Sequence, residues 1–189
     1  MRYAGFWKRF VAGWIDFFVL LIPLMFLIWL ETVSRGWAFL ALIPLTFLFP
    51  GYEMYFHGRW GQTIGKRSLD IRVASLDGSV ISWKQAFLRS SVGLGLGALA
   101  AISTFGALFA MTDGEFSNLS WIELAGRKSE LSPFINEINI ATQIWVWSEV
   151  VVLLFNRKRR ALHDFIAGSV VVETSEPVKE MPVIGNGAI

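Results

Sequence analysis

The chain contains no cysteine. That excludes disulfides, thiolate-ligated zinc and thiol nucleophiles, and says little about compartment. Histidine is nearly as scarce: His57 and His163 are the only two, which argues against an imidazole-rich metal site. Charge is also short. Charged side chains are 17% of the 189 residues against 54% hydrophobic, where a soluble domain carries about 25% charged. The charges that remain are bunched between apolar blocks, which is a membrane pattern. The net charge is +2, and no basic groove with interleaved aromatics accompanies it, so nucleic acid is not an expected partner.

What is present is a set of four apolar blocks, at about 10–30, 37–56, 87–111 and 134–155. Each reaches or exceeds the roughly 20 residues that a spanning helix needs. The first follows Lys8 and Arg9 but is longer than a signal-peptide core, contains Asp16 and lacks a small-residue cleavage site, so it is predicted to be a retained helix. Pro23 is expected to kink it, and Pro44 and Pro50 interrupt the second block. Only Glu31–Arg35 separates the first two blocks, which predicts an antiparallel helical pair. In the polar stretch after the second block, 62–67 reads as a short helix or loop. Leu69, Ile71 and Val73 then alternate with Asp70, Arg72 and Ala74, the period of a strand. Asp77-Gly78 reads as a turn and Val80–Trp83 as a returning strand, so a small β-hairpin outside the membrane is expected. Val170–Val172 reads as a strand able to join it, after a short amphipathic helix built on Leu162, Phe165 and Ile166 and closed by Gly168.

In the third block Gly93, Gly97 and Ala101, then Gly106 and Ala110, recur every four residues, a spacing that lets helices approach closely. Residues 113–130 read as a polar, acidic loop. In the fourth block Asn136, Asn139 and Gln143 share one face, while Thr142 and Glu149 form a second polar line, which predicts enclosure by protein or water. The fold class is therefore an all-α integral membrane protein: a four-transmembrane-helix bundle with a small cytoplasmic β-hairpin, over 1–172, followed by a tail at 173–189 predicted to be disordered. Fourteen of the 17 Lys and Arg fall on the side of both termini and the 57–84 stretch, leaving Arg35, Arg127 and Lys128 opposite. The positive-inside rule puts both termini in the cytoplasm of a bacterial inner-membrane protein.

Ionisable groups inside apolar blocks are functional-site candidates by default. Arg9 and Asp16 are seven residues apart, nearly on one helix face with Gly5, Ala12 and Gly13. Asp16, Glu53 and Glu149 all fall in the half nearest Arg9 and Arg89. Two readings stay open: a polar pocket facing the cytoplasm, or structural ion pairs, the latter preferred for Glu53 near the interface. Two turns separate Arg9 from Asp16, so Asp16 is expected to meet a partner from another segment, with Arg89 or Lys66 as candidates. Gly93–Ala98 matches a dinucleotide fingerprint loosely but lies in an apolar span. Gly61–Lys66 is one residue short of a phosphate loop, and Arg67 stands where Ser or Thr would bind magnesium. His163-Asp164 has no nucleophile placed with it, so His163 is read as orienting or capping a surface helix. No metal set, cofactor motif or catalytic constellation is visible.

Three of these stretches resemble the RDD family of membrane proteins. They are Tyr3–Arg9 leading to Asp16, Gly61–Arg67 followed by Asp77-Gly78, and Lys158–Gly168. The resemblance runs from about Tyr3 to Val172. Arg9 and Asp16 match the family arginine and first aspartate, and Asp164 is assigned as the second. Ser169 stands where many relatives have Thr, and the fourth span and acidic loop lengthen a shorter common core. The resemblance implies a multi-span protein in a family often suggested to be involved in transport, with some relatives proposed as cation/proton antiporters. The expected function is therefore transport-related, with a cation or proton at a site drawn from Arg9, Asp16, Glu53, Lys66, Arg89, Glu149 and Asp164. Asp16 is the expected binding carboxylate and Glu149 a second relay. The expected partners are the lipid bilayer and a second copy or another membrane protein, because four spans leave limited room for a pathway. The alternative is a non-transporting scaffold or assembly factor.

Overall fold

A computed structural model describes residues 1–174. In chain order the elements are α1 (Phe6–Val33), α2 (Arg35–Trp60), α3 (Ile64–Ser68), β1 (Ile71–Ser75), α4 (Trp83–Ala110), α5 (Asp113–Asn118), α6 (Trp121–Leu131), α7 (Ile135–Phe155), α8 (Leu162–Ile166) and β2 (Ser169–Glu173). The four long helices are those the apolar blocks predict, and all are long and apolar enough to cross a membrane. Only 6–17% of the most apolar window of each is buried. Side chains that water would reject thus face outward, the arrangement a lipid solvent rewards. Pro44 and Pro50 lie inside a continuous α2, and Pro23 inside α1.

The chain divides into two compact units. One comprises Met1–Asp16, Glu53–Ser90 and Ser148–Ile189, and the other Phe17–Tyr52 and Ser91–Trp147. In the first unit β1 pairs antiparallel with β2, Ile71 opposite Glu173 through Ser75 opposite Ser169. This corrects the expected hairpin. Val80 contributes a single bridge to Ala74, and the chain then leaves the sheet because Ser82 and Gln85 cap α4. The Val170–Val172 triplet decides the pairing. All three are at most 3% exposed, so they need cover on both faces of the sheet. Val171 packs with Ala4, Ala12, Ile71 and Val73 on one side, and Val170 and Val172 with Ala74 and Tyr3 on the other. A two-stranded sheet alone is marginal; here the N-terminus adds to it, the Ala4 N–H donating to the Val171 carbonyl at 2.9 Å. Gly168 takes φ +62°, which turns the chain from α8 into β2. Glu173 belongs to β2, so the predicted tail starts too early, and its part from 175 on lies outside the described residues.

In the second unit the predicted loop is two capped helices. Thr112 caps α5, and Ser120 and Glu123 form a capping box on α6. Phe116 and Leu124 then pack on Ala38, Leu108 and Met111. Of the small residues in α4, Gly97 lies against Thr46, 3.1 Å from where a Cβ would be, while Gly93 and Gly106 face open space. The expected close-packed stripe thus reduces to one position. Of the two settings expected for the polar face of α7, cover by other described residues of this chain is not seen: Asn136, Asn139 and Gln143 are exposed, and its most apolar window is only 6% buried.

Candidate functional site

The site lies in the first unit and is assembled around Asp164. This carboxylate is fully buried on α8 and accepts the N–H of Ala161 at 3.0 Å, which also caps the helix. Arg9 from α1 donates to Oδ2 at 2.8 Å, and Arg89 from α4 donates to Oδ1. The Arg89 guanidinium also reaches the Ser169 hydroxyl at 2.8 Å, and that hydroxyl donates to Asp164 Oδ1 at 3.2 Å. Burial pushes the Asp164 carboxyl up, but the cations around it, Arg89 foremost, outweigh burial and hold it far below the usual range. Arg9, whose family match alone gave no partner, therefore turns inward, its side chain 11% exposed.

Asp16 has a different shell. It is 2% exposed, and accepts from the Thr63 hydroxyl at 2.6 Å and the Gly65 N–H at 2.7 Å. Gly65 is required there, because a Cβ would strike the Ala12 carbonyl. Asp16 thus fastens the turn before α3 to the start of α1. Of the two cations expected for it, Arg89 pairs with Asp164, and Lys66 lies 3.5 Å from Glu53 while also feeling the Asp16 charge. Burial lowers the Lys66 ammonium's affinity for its proton, and Glu53 and Asp16 oppose that.

A cavity of about 250 Å³ opens beside these groups. Its polar lining is Arg9, Glu53, Lys66, Arg89, Glu149 and His163, backed by Phe6, Phe10 and Leu153. Asp16 and Asp164 are not in the lining. Glu149 Oε1 accepts the His163 main-chain N–H at 3.1 Å. Its Oε2 lies 2.7 Å from His163 Nδ1, yet that contact is outside hydrogen-bond geometry and the buried oxygen has no donor among the described residues. When ionised, three lining cations face two lining carboxylates, with Asp164 and Asp16 behind. Sequence reasoning brought Arg9, Glu53, Lys66, Arg89 and Glu149 to one place. It missed Thr63 and Gly65, although they sit inside the Gly61–Arg67 motif, and it read His163 as a cap rather than as part of the lining.

The RDD family model matches residues 3–168. The uncharacterized protein YckC of Bacillus subtilis (strain 168) is 34% identical over 109 residues, spanning 52% of this chain and 69% of that protein. No solved structure matches. The motifs that hold Arg9, Asp16 and Asp164 in place lie within the matched stretch, and the chain belongs to the RDD family.

Proposed function

We propose that this is a transport-related membrane protein in which the cavity is a cytoplasm-facing acidic site that binds a cation or proton. One observation carries the reading: a carboxylate oxygen, Glu149 Oε2, is buried without a donor among the described residues, beside a polar cavity. A buried oxygen without a partner is costly unless something visits it, and an ionisable group in a span marks an ion pathway by default. Glu149 takes the binding role and Glu53, paired with Lys66, the neighbouring one. Asp16 and Asp164 position the frame. Both termini are cytoplasmic on the charge count, in a bacterial inner membrane. A second copy packs along α7, whose exposed Asn136, Asn139 and Gln143 seek partners in lipid.

The test is proton and cation flux in proteoliposomes of wild type and Glu149→Gln. Flux in wild type that falls to background in the variant is expected; equal flux in both overturns the role of Glu149. The second reading, a non-transporting scaffold, is favoured by the two fully enclosed aspartates. It requires that Glu149→Gln leave behaviour unchanged, while Asp16→Asn lowers both folding yield and capture of a partner membrane protein.

A further inference from the structure

We propose that His163 and Glu149 form a proton-binding pair in the cavity wall, with His163 held by Arg89 as the neutral Nδ1–H tautomer. This rests on the transport reading of the same cavity and names the ion it takes. Arg89 Nη2 lies 2.8 Å from His163 Nε2. A guanidinium only donates, so Nε2 must accept, and a neutral ring then carries its hydrogen on Nδ1. Nδ1 is the nitrogen 2.7 Å from Glu149 Oε2, with its N–H directed off the line to that oxygen. The His163 main-chain N–H fixes the other carboxylate oxygen. The carboxylate is therefore positioned through Oε1 while Oε2 is left for exchange.

A proton arriving from cavity water has two places to go. On Glu149 Oε2 it neutralises the carboxylate. On His163 Nε2 it takes the place of the hydrogen bond from Arg89, and the resulting imidazolium lies 3.7 Å from Asp164 Oδ1. Arg89 keeps its hold on Asp164 and Ser169 through Nη1 in either case. The same proton returns to water when the pair deprotonates, so nothing else is consumed. The groups that set the balance are Glu149 from α7, Arg89 from α4, Asp164 on α8 itself, Glu53 and His57 from α2, Lys66 from α3 and Arg9 from α1. A proton fits this site better than a metal cation. Among the described residues no three His, Asp or Glu side chains converge as ligands. A hard cation wants several oxygens at once, while a proton needs one atom.

With only two histidines in the chain, the test is direct. The full chain labelled with ¹⁵N-histidine is placed in lipid nanodiscs, and His57→Gln identifies the His163 signals. The neutral Nδ1–H form is expected at pH 8. Glu149→Gln is expected to move the His163 Nδ1 signal, since it changes the group 2.7 Å from that nitrogen. An Nε2–H tautomer at pH 8, or an Nδ1 signal unmoved in Glu149→Gln, overturns the proposal. If the pair behaves as described but the liposomes carry no flux, the pair stands and the transport reading falls. Flux with a His163 that keeps one protonation state from pH 8 to pH 5 has the opposite meaning.

Discussion

The deepest ion pairs of the two units differ in how far they are withdrawn from solvent. In the second unit Arg35 pairs with Asp113 at 2.6 Å, the acid 82% exposed, and Arg127 with Glu115 at 2.7 Å, while Lys128 and Glu31 pair with 16% exposure on each side. In the first unit Arg9 and Arg89 share a carboxylate with no exposure at all. Exposed pairs are worth about 0–1 kcal/mol, whereas breaking one side of a buried pair costs about 3–5 kcal/mol because the other charge is left stranded. The same residue types thus build a fully enclosed centre in one unit and shallower pairs in the other. Between these extremes lies Glu149, enclosed but incompletely partnered, which is where exchange with solvent is chemically reasonable.

The contrast can be broken most forcefully at Asp164. Asp164→Asn strands two guanidinium groups, and a loss of about 3–5 kcal/mol is expected, seen as collapse of folded yield and thermal stability in detergent. Gly65→Ala follows. The new methyl meets the Ala12 carbonyl, and about 1–3 kcal/mol of overpacking cost is expected in the same melt. Acid sharpens the comparison next. The folded Asp164 carboxyl titrates below its unfolded value of 3.8, so its stabilisation is fully present above that value and is lost only as pH falls below it toward the folded value. The Asp164 contribution should therefore still be present in wild type at pH 5, with the loss that belongs to this carboxyl appearing in the thermal melt only below about pH 3.8. Arg35→Gln gives the smallest effect: within about 1 kcal/mol of wild type, by the same melt.

The spans were legible because lipid demands long apolar runs, and that demand is written in consecutive residues. The strand partner was not. Val80 and Val171 carry similar propensity, and the choice was made by Ala4, Ile71 and Val73, which need Val171 beside them to close one buried face. The site was half legible. A carboxylate inside a span announces itself, so Asp16 and Glu149 stood out, but the sequence cannot say which cation goes where. Arg89 and Asp164 are 75 residues apart, and the donors to Asp16 include a backbone N–H, which no side-chain pattern reveals. Asn136, Asn139 and Gln143 left two settings open, protein or water, and the described residues of this chain do not cover them.

The central claim is that Glu149 exchanges its proton with the cavity while Asp16 and Asp164 are closed into the frame. Dicyclohexylcarbodiimide, an apolar reagent for protonated carboxyl groups in membranes, tests it on the intact chain with the modified residue mapped by mass spectrometry. The account predicts modification at Glu149, with Asp16 and Asp164 untouched. Modification at Asp16 with Glu149 unmodified would contradict it.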